Sequence, residues 1–196
     1  MEVIKNHPEN VDAHWWLGTK LQAEHDYRKA LEEFSACISL DSSYNLGYPY
    51  RDRANCKNNL RNDTGAVADM SSAIRLNPTE RYFYLDRGAY LSNLNKKEAA
   101  LEDFNKALEI WDQFAEARIE KAKVLVQMKY YKEAMTEYDK LYFSNGFAHD
   151  PNNAWDFYYR GVARYNLNDK EKACSDWAIA AVNCEDAKNE MKTKCK

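Results

Sequence analysis

Residues 81–107 read RYFYLDRGAYLSNLNKKEAALEDFNKA, and the pattern in this stretch returns four more times along the chain. Gly88 stands twelve positions before Ala100, and the large residue Phe104 follows Ala100 by four. The other copies repeat this small–alanine–large spacing at Gly18, Ala30 and Phe34; at Ala54, Ala66 and Met70; at Ala122, Ala134 and Tyr138; and at Gly161, Ala173 and Trp177. Successive copies begin 36, 34, 34 and 39 residues apart. A fixed period of this length predicts a stack of helical repeats.

The spacing has a direct physical reading. Small residues let two helices approach closely, and the large residue fills the space that remains beside them. A helix pair of this kind has an apolar face that it cannot bury alone, so neighbouring pairs must stack. Turn signals stand where helices should end: Asn62-Asp63-Thr64-Gly65, Asn77-Pro78, Asn95, Ser144-Asn145-Gly146 and Asp150-Pro151-Asn152-Asn153.

The repeated positions resemble the tetratricopeptide repeat, a helix–turn–helix unit of about 34 residues. The third copy carries the resemblance best, at Tyr84, Arg87-Gly88, Leu91, Ala100, Phe104 and Ala107, and Pro78 closes the second copy. The Arg-Gly pair is similar to a known bacterial variant of the repeat. His14 departs from the usual aromatic residue, and the fourth copy has about five extra residues around 144–153.

This resemblance implies an all-α fold. We expect a right-handed superhelical solenoid of about five antiparallel helix-turn-helix units plus a C-terminal capping helix, forming one array over residues 1–196. The expected segments are a remnant of a preceding repeat or a lead-in at 1–10, repeats at 11–44, 47–80, 81–114, 115–153 with the insertion, and 154–183, and the cap at 184–196.

In this family the first helix of each repeat lines a concave groove that binds peptides, so the resemblance implies a non-catalytic protein–protein interaction scaffold. The groove candidates are Arg51, Asp52, Asn55, Tyr82, Asp86, Asn93, Glu120, Lys123, Trp155, Tyr158, Tyr159 and Tyr165. The alternative is a structural or self-assembly module, either of a larger complex or of a homo-oligomer, with no peptide in the groove.

Two subsets of the candidates have competing interpretations. Asp52, Asp86 and Glu120 occupy the same position in three repeats, and a base follows each of them. They predict either an acid–base lattice between helices or an acidic strip that prefers a basic segment. The aromatic residues of the fifth repeat are either a binding hot spot or packing against the fourth repeat.

Composition and motifs exclude other classes of function. A net charge of −3 and a pI near 5.9 argue against nucleic-acid binding, and no apolar run approaches the ~20 residues that cross a membrane. We expect no binding of the acidic C-terminal tail of heat-shock chaperones, because Asp86, Glu116 and Glu120 would repel it. The default localisation is cytoplasmic, with export open if an upstream signal segment has been removed.

Neither catalysis nor a cofactor or metal is predicted. The four histidines, at positions 7, 14, 25 and 149, form no H-x-x-x-H pair, and no phosphate-binding or nucleophile motif occurs. Among the five cysteines, Cys37 and Cys174 fall where a thiol packs as a small apolar group. Cys184 and Cys195 lie near the end of the chain and could pair in an oxidising compartment.

Overall fold

The protein is described by a computed structural model, which covers residues 8–143 and 154–195. These residues form eleven α-helices and no strand, in two compact units, Met1–Ile110 (unit 1) and Trp111–Lys196 (unit 2). The all-α prediction is therefore confirmed. The predicted bounds of the repeats and the single array over 1–196 stay predictions, and residues 1–7 and the insertion at 144–153 lie outside the described residues.

Unit 1 contains three helix pairs: α1 (Val11–Ala23) with α2 (Tyr27–Leu40), α3 (Tyr48–Asn59) with α4 (Asp63–Leu76), and α5 (Arg81–Asn93) with α6 (Lys97–Ile110). A short 3-10 segment, Tyr44–Gly47, precedes α3, and Pro49 lies in the first turn of that helix, where a missing N–H is harmless. Each second helix also packs against the next first helix, α2 against α3 and α4 against α5.

Unit 2 contains two helix pairs and a final helix: α7 (Ala115–Gln127) with α8 (Tyr131–Phe143), α9 (Ala154–Asn166) with α10 (Lys170–Ala180), and α11 (Glu185–Lys194). Helix α9 packs against α7 and α8, and α11 packs against α10. The predicted capping helix is thus present as α11. None of the helices described in either unit is long and apolar enough to cross a membrane.

The small and large residues of the repeat meet inside each pair, as the spacing predicts. A Cβ atom built on Gly88 of α5 would lie 2.6 Å from Cε1 of Phe104 on α6, and one built on Gly161 would lie 2.5 Å from Nε1 of Trp177. The recurring alanines and large residues are buried in all five copies. The helices of a pair can therefore approach closely only because the first one lacks a side chain, or has only a methyl group, at this position.

Every pair is joined by a three-residue turn with the same backbone. The middle residue takes a left-handed conformation, with φ between 58° and 69°, at His25, Arg61, Asn95, Lys129 and Asn168. The following N–H bonds to a carbonyl five residues back, as from Asn62 to Lys57 at 2.8 Å, so a carbonyl orphaned by the helix end is satisfied. The side chain of this same residue often caps the second helix: Asn62 Oδ1 accepts the N–H of Gly65 at 2.9 Å.

The cysteine pairing differs from the sequence-based expectation. Cys174 on α10 is bonded to Cys195, whereas Cys184 is a free, buried thiol. Cys184 and Cys195 cap the two ends of α11, and a helix separates such residues by about 16 Å, well beyond the roughly 7 Å that a disulfide can span. The possible Cys184–Cys195 pair is thus wrong, and so is a purely packing role for Cys174. Cys37 is buried in the core as expected.

Candidate protein-interaction surfaces

In unit 1 the first helices α1, α3 and α5 are joined by polar contacts that involve the groove candidates Arg51, Asp52, Asn55 and Asp86. Trp15 Nε1 on α1 donates to Asp52 Oδ2 on α3 at 2.8 Å, and Arg51 Nε on α3 donates to Asp86 Oδ2 on α5 at 2.6 Å. The Tyr90 hydroxyl donates to the side-chain oxygen of Asn55. We call the surface formed by Trp15, Arg51, Asp52, Asn55 and Asp86 the unit 1 polar surface.

Tyr82 extends this surface along α5. The Arg51 guanidinium lies 5.4 Å from the centroid of the Tyr82 ring, and that of Arg81 lies 4.8 Å from it, so the ring faces are covered by cations. Asn93, at the end of α5, is exposed and lies outside the network. The structure therefore brings together five of the six unit 1 candidates and leaves Asn93 apart.

The five residues that define the unit 1 polar surface include two carboxylates and one guanidinium. Burial raises the pKa of Asp52 and of Asp86 above their ordinary values, and the hydrogen bonds from Trp15 and Arg51 oppose this only in part. Each carboxylate is half-buried, and Arg51 is the one cation that forms an ion pair with either of them among the described residues. Burial alone would lower the pKa of Arg51, but Asp86 raises it. Asp86 thus has a guanidinium as its partner, whereas Asp52 has only the neutral indole N–H of Trp15.

In unit 2 the candidate cation Lys123 joins two first helices. Its Nζ lies 3.0 Å from Glu120 Oε1 on α7 and 2.7 Å from Asp156 Oδ1 on α9. Burial lowers the pKa of Lys123, but the two carboxylates outweigh this and raise it. Lys123 and Glu120 are therefore held by neighbouring side chains, as the lattice interpretation requires.

Three aromatic candidates form a cluster on α9. The ring centroids of Tyr158 and Tyr159 are 5.3 Å apart, and that of Trp155 lies 5.6 Å from Tyr158. Trp155 remains 49% exposed. Burial, followed by the charges of Glu190 and Asp186, raises the pKa of Tyr158 to about 12, so its hydroxyl stays protonated.

Tyr165 belongs to a different environment. Its ring lies 5.5 Å from that of Trp177 and packs against the core of unit 2. The structure thus groups Trp155, Tyr158 and Tyr159 and separates Tyr165 from them.

The sequence interpretation missed a row of second-helix acids. In every copy an acid immediately precedes the large core residue, and it pairs with a cation or histidine on the first helix of the same repeat. The pairs are His14–Glu33 at 2.6 Å, Arg53–Asp69 at 2.7 Å, Arg87–Asp103 at 2.6 Å, Lys121–Glu137 at 2.8 Å and Arg160–Asp176 at 2.6 Å.

These pairs correct the lattice that the sequence suggested. The bases that follow Asp52, Asp86 and Glu120 do not pair with those carboxylates. Arg53 and Arg87 instead each form two bonds to the carboxylate of the partner helix, and their third nitrogen donates to a serine of the preceding second helix at 3.2 Å. The sequence does contain a signal for these pairs, because an acid immediately precedes the large core residue in all five copies, at Phe34, Met70, Phe104, Tyr138 and Trp177.

Over the described residues, no three His, Cys, Asp or Glu side chains come together in a way that could hold a metal ion. What the structure does present is successive antiparallel helix pairs with half-buried polar and aromatic side chains on their first helices. These features define a helical-repeat protein.

Comparison with known proteins finds tetratricopeptide repeat proteins. A family model described as tetratricopeptide repeat matches residues 82–110. The crystal structure of YrrB, "a TPR protein with an unusual peptide-binding site", superposes with a TM-score of 0.75 at 21% identity, covering 97% of this chain and 96% of that one. The chain is therefore similar to tetratricopeptide repeat proteins in sequence at residues 82–110 and in fold over nearly its whole length.

Two further comparisons concern chaperone-related proteins. Hsp70-Hsp90 organizing protein 2 from Arabidopsis thaliana is 31% identical over 109 residues, which are 56% of this chain. The first TPR of Spaghetti, solved with the HSP90 peptide SRMEEVD, is 24% identical, with a TM-score of 0.58 over 61% of this chain and 93% of that one, and shows the fold alone. The chain spans 18% of the organizing protein and 30% of a second curated relative.

Proposed function

We propose that the chain is a non-catalytic scaffold that binds a basic protein segment on the unit 1 polar surface. The observation that supports this most directly is the half-buried carboxylate of Asp52, which accepts a hydrogen bond from Trp15 and forms no ion pair among the described residues, beside Asp86, which pairs with Arg51. A lysine or arginine from a partner would supply the missing positive charge and relieve the cost of burying both acids.

The groups around these acids suit an extended segment. The side chain of Asn55 and the ring of Tyr82 lie on the same surface, beside Arg51 and Asp86. An amide side chain can donate to and accept from a peptide backbone, and an aromatic ring provides a large contact area at low entropic cost. Affinity would come from contacts with the segment's backbone and with the aliphatic parts of its side chains. The carboxylates would provide the preference for a basic sequence.

The same charges predict that the acidic chaperone tail is not a ligand. A segment rich in carboxylates would bring further negative charge beside Asp52 and Asp86, whose pKa values are already raised by burial. In this respect we expect the chain to differ from the Spaghetti repeat, which was solved with SRMEEVD. Isothermal titration calorimetry with SRMEEVD should give no measurable binding, and a micromolar Kd would contradict the proposal.

The direct test is fluorescence anisotropy with two labelled peptides of equal length, one lysine- and arginine-rich and one glutamate-rich. The basic peptide should bind more tightly, and the double variant Asp52→Asn/Asp86→Asn should bind it about tenfold more weakly, because it removes two charge pairs of up to about 1 kcal/mol each. The matched control is Glu32→Gln/Glu102→Gln, which removes the same charge from exposed positions on second helices.

Equal affinity for the two peptides, or an equal loss in the control variant, would reject the unit 1 polar surface as the site. The self-assembly alternative predicts concentration-dependent light scattering and no dependence on Asp52 or Asp86. Those two results together would favour it over the scaffold.

A further inference from the structure

The disulfide of unit 2 closes the last helix of the chain onto the helix before it. Cys174 lies within α10, and Cys195 immediately follows α11, 21 residues later. The bond therefore attaches the far end of α11 to α10, while the near end is attached through the short connection at residues 181–184. Both ends of α11 are thus covalently fixed.

The non-covalent hold on α11 is small by comparison. Its ten residues, EDAKNEMKTK, include only two apolar side chains, of which Ala187 is fully buried and Met191 half-buried. Isolated helices shorter than about 12–15 residues are marginal in water. The ion pairs Lys188–Glu185 and Lys194–Glu190 lie within the helix itself and do not bind it to α10.

What α11 covers is an apolar surface with a thiol in it. Phe157, Trp177 and Cys184 are buried in one cluster, and Ala187, Met191 and Cys195 pack on that cluster from α11 and its end. Lys194 also places its Nζ 4.7 Å from the Tyr165 ring centroid. Loss of α11 from this position would expose the aromatic side chains and Cys184 together.

We propose that the Cys174–Cys195 disulfide is a redox-controlled clamp that keeps α11 docked on unit 2. A thiol reductant, either a protein dithiol or a small dithiol, supplies two electrons and two protons. The sulfur–sulfur bond breaks, Cys174 and Cys195 become thiols, and the reductant becomes a disulfide. Helix α11 then undocks and uncovers the apolar surface, and re-oxidation closes it again. The clamp is independent of the unit 1 polar surface.

The test uses the full chain, and its readout is the alkylation of Cys184. Peptide mapping of the unreduced protein should first recover Cys174 and Cys195 as one linked pair. N-ethylmaleimide under native conditions should then label Cys184 about 100-fold faster in Cys174→Ser/Cys195→Ser than in the oxidised wild type, the factor expected from a crosslink closing a loop of this length. Hydrogen exchange of the α11 amides should accelerate in parallel.

Cys37 and Cys56 in unit 1 are internal controls. Both are buried, and burial raises the pKa of each thiol to about 11, so they should stay unlabelled in both proteins. The proposal is overturned if Cys184 remains equally protected in the variant, if Cys174 and Cys195 are recovered as free thiols from unreduced protein, or if Cys37 and Cys56 label as fast as Cys184. The last result would mean that the bond supports the whole fold rather than one helix.

Discussion

Replacing Gly88 by alanine should destabilise unit 1 although alanine is the better helix former. The new methyl group would lie 2.6 Å from Cε1 of Phe104, far inside contact distance, so the ring or the helix must move. Overpacking of this kind costs about 1–3 kcal/mol, and the gain in helix propensity returns about 1 kcal/mol. We therefore expect Gly88→Ala to lower the free energy of unfolding by up to about 2 kcal/mol.

The second repeat indicates how to rescue this loss. There the corresponding residues are Ala54 and Met70, both fully buried. In Gly88→Ala/Phe104→Met the methionine should make room for the methyl group, whereas Phe104→Met alone should leave space beside Gly88. The two substitutions should therefore couple favourably by about 1–2 kcal/mol.

Urea unfolding of the wild type, both single variants and the double variant, followed by circular dichroism, measures this coupling. Ala89→Gly, at the neighbouring half-buried position, isolates the helix-propensity contribution. If the two effects add to within about 0.5 kcal/mol, the contact between position 88 and the ring does not limit how closely α5 and α6 approach.

Two further predictions concern the ion pairs inside the repeats. Arg87→Leu leaves the buried carboxylate of Asp103 without its guanidinium, so it should lower the free energy of unfolding in urea by about 3 kcal/mol. The double variant Arg87→Leu/Asp103→Leu removes the unpaired charge and should recover most of this loss. No recovery would contradict the pairing argument. Burial raises the pKa of Glu137, but Lys121 and Arg118 outweigh this and hold it below its usual 4.5. The ionised Glu137 carboxylate therefore stabilises the fold above pH 4.5, and this stabilisation is lost as the pH falls through the lowered pKa. Glu137→Gln should accordingly flatten the acid side of a plot of unfolding midpoint against pH.

The sequence predicted the elements of the fold because their determinants are local and repeated. The small residue, the alanine and the large residue each act within one helix pair, and Asn62 and Asn95 stand at the turns. Five copies in phase make these signals reinforce one another, so the all-α helix pairs could be identified without any knowledge of distant contacts.

The polar contacts were harder to predict because they connect residues that are not neighbours in the sequence. The sequence Asp86-Arg87 suggests a pairing between these two neighbours, but adjacent residues of a helix point in different directions. Arg87 instead reaches Asp103 on the next helix, sixteen residues away. The disulfide was missed for a similar reason, because only the helical geometry of α11 separates Cys184 from Cys195 and brings Cys174 within reach.

The left-handed turn residues described above also bear on how the chain could be engineered. Asn95 and Asn168 are among the residues that tolerate this conformation, but Arg61 and Lys129 are not, and both are exposed. Exchanging either of them for asparagine or glycine should add about 0.5–1 kcal/mol without touching the core or either interaction surface. Natural selection has thus left these two turns short of their optimum, and a laboratory version of the scaffold could carry binding mutations whose cost the improved turns would offset.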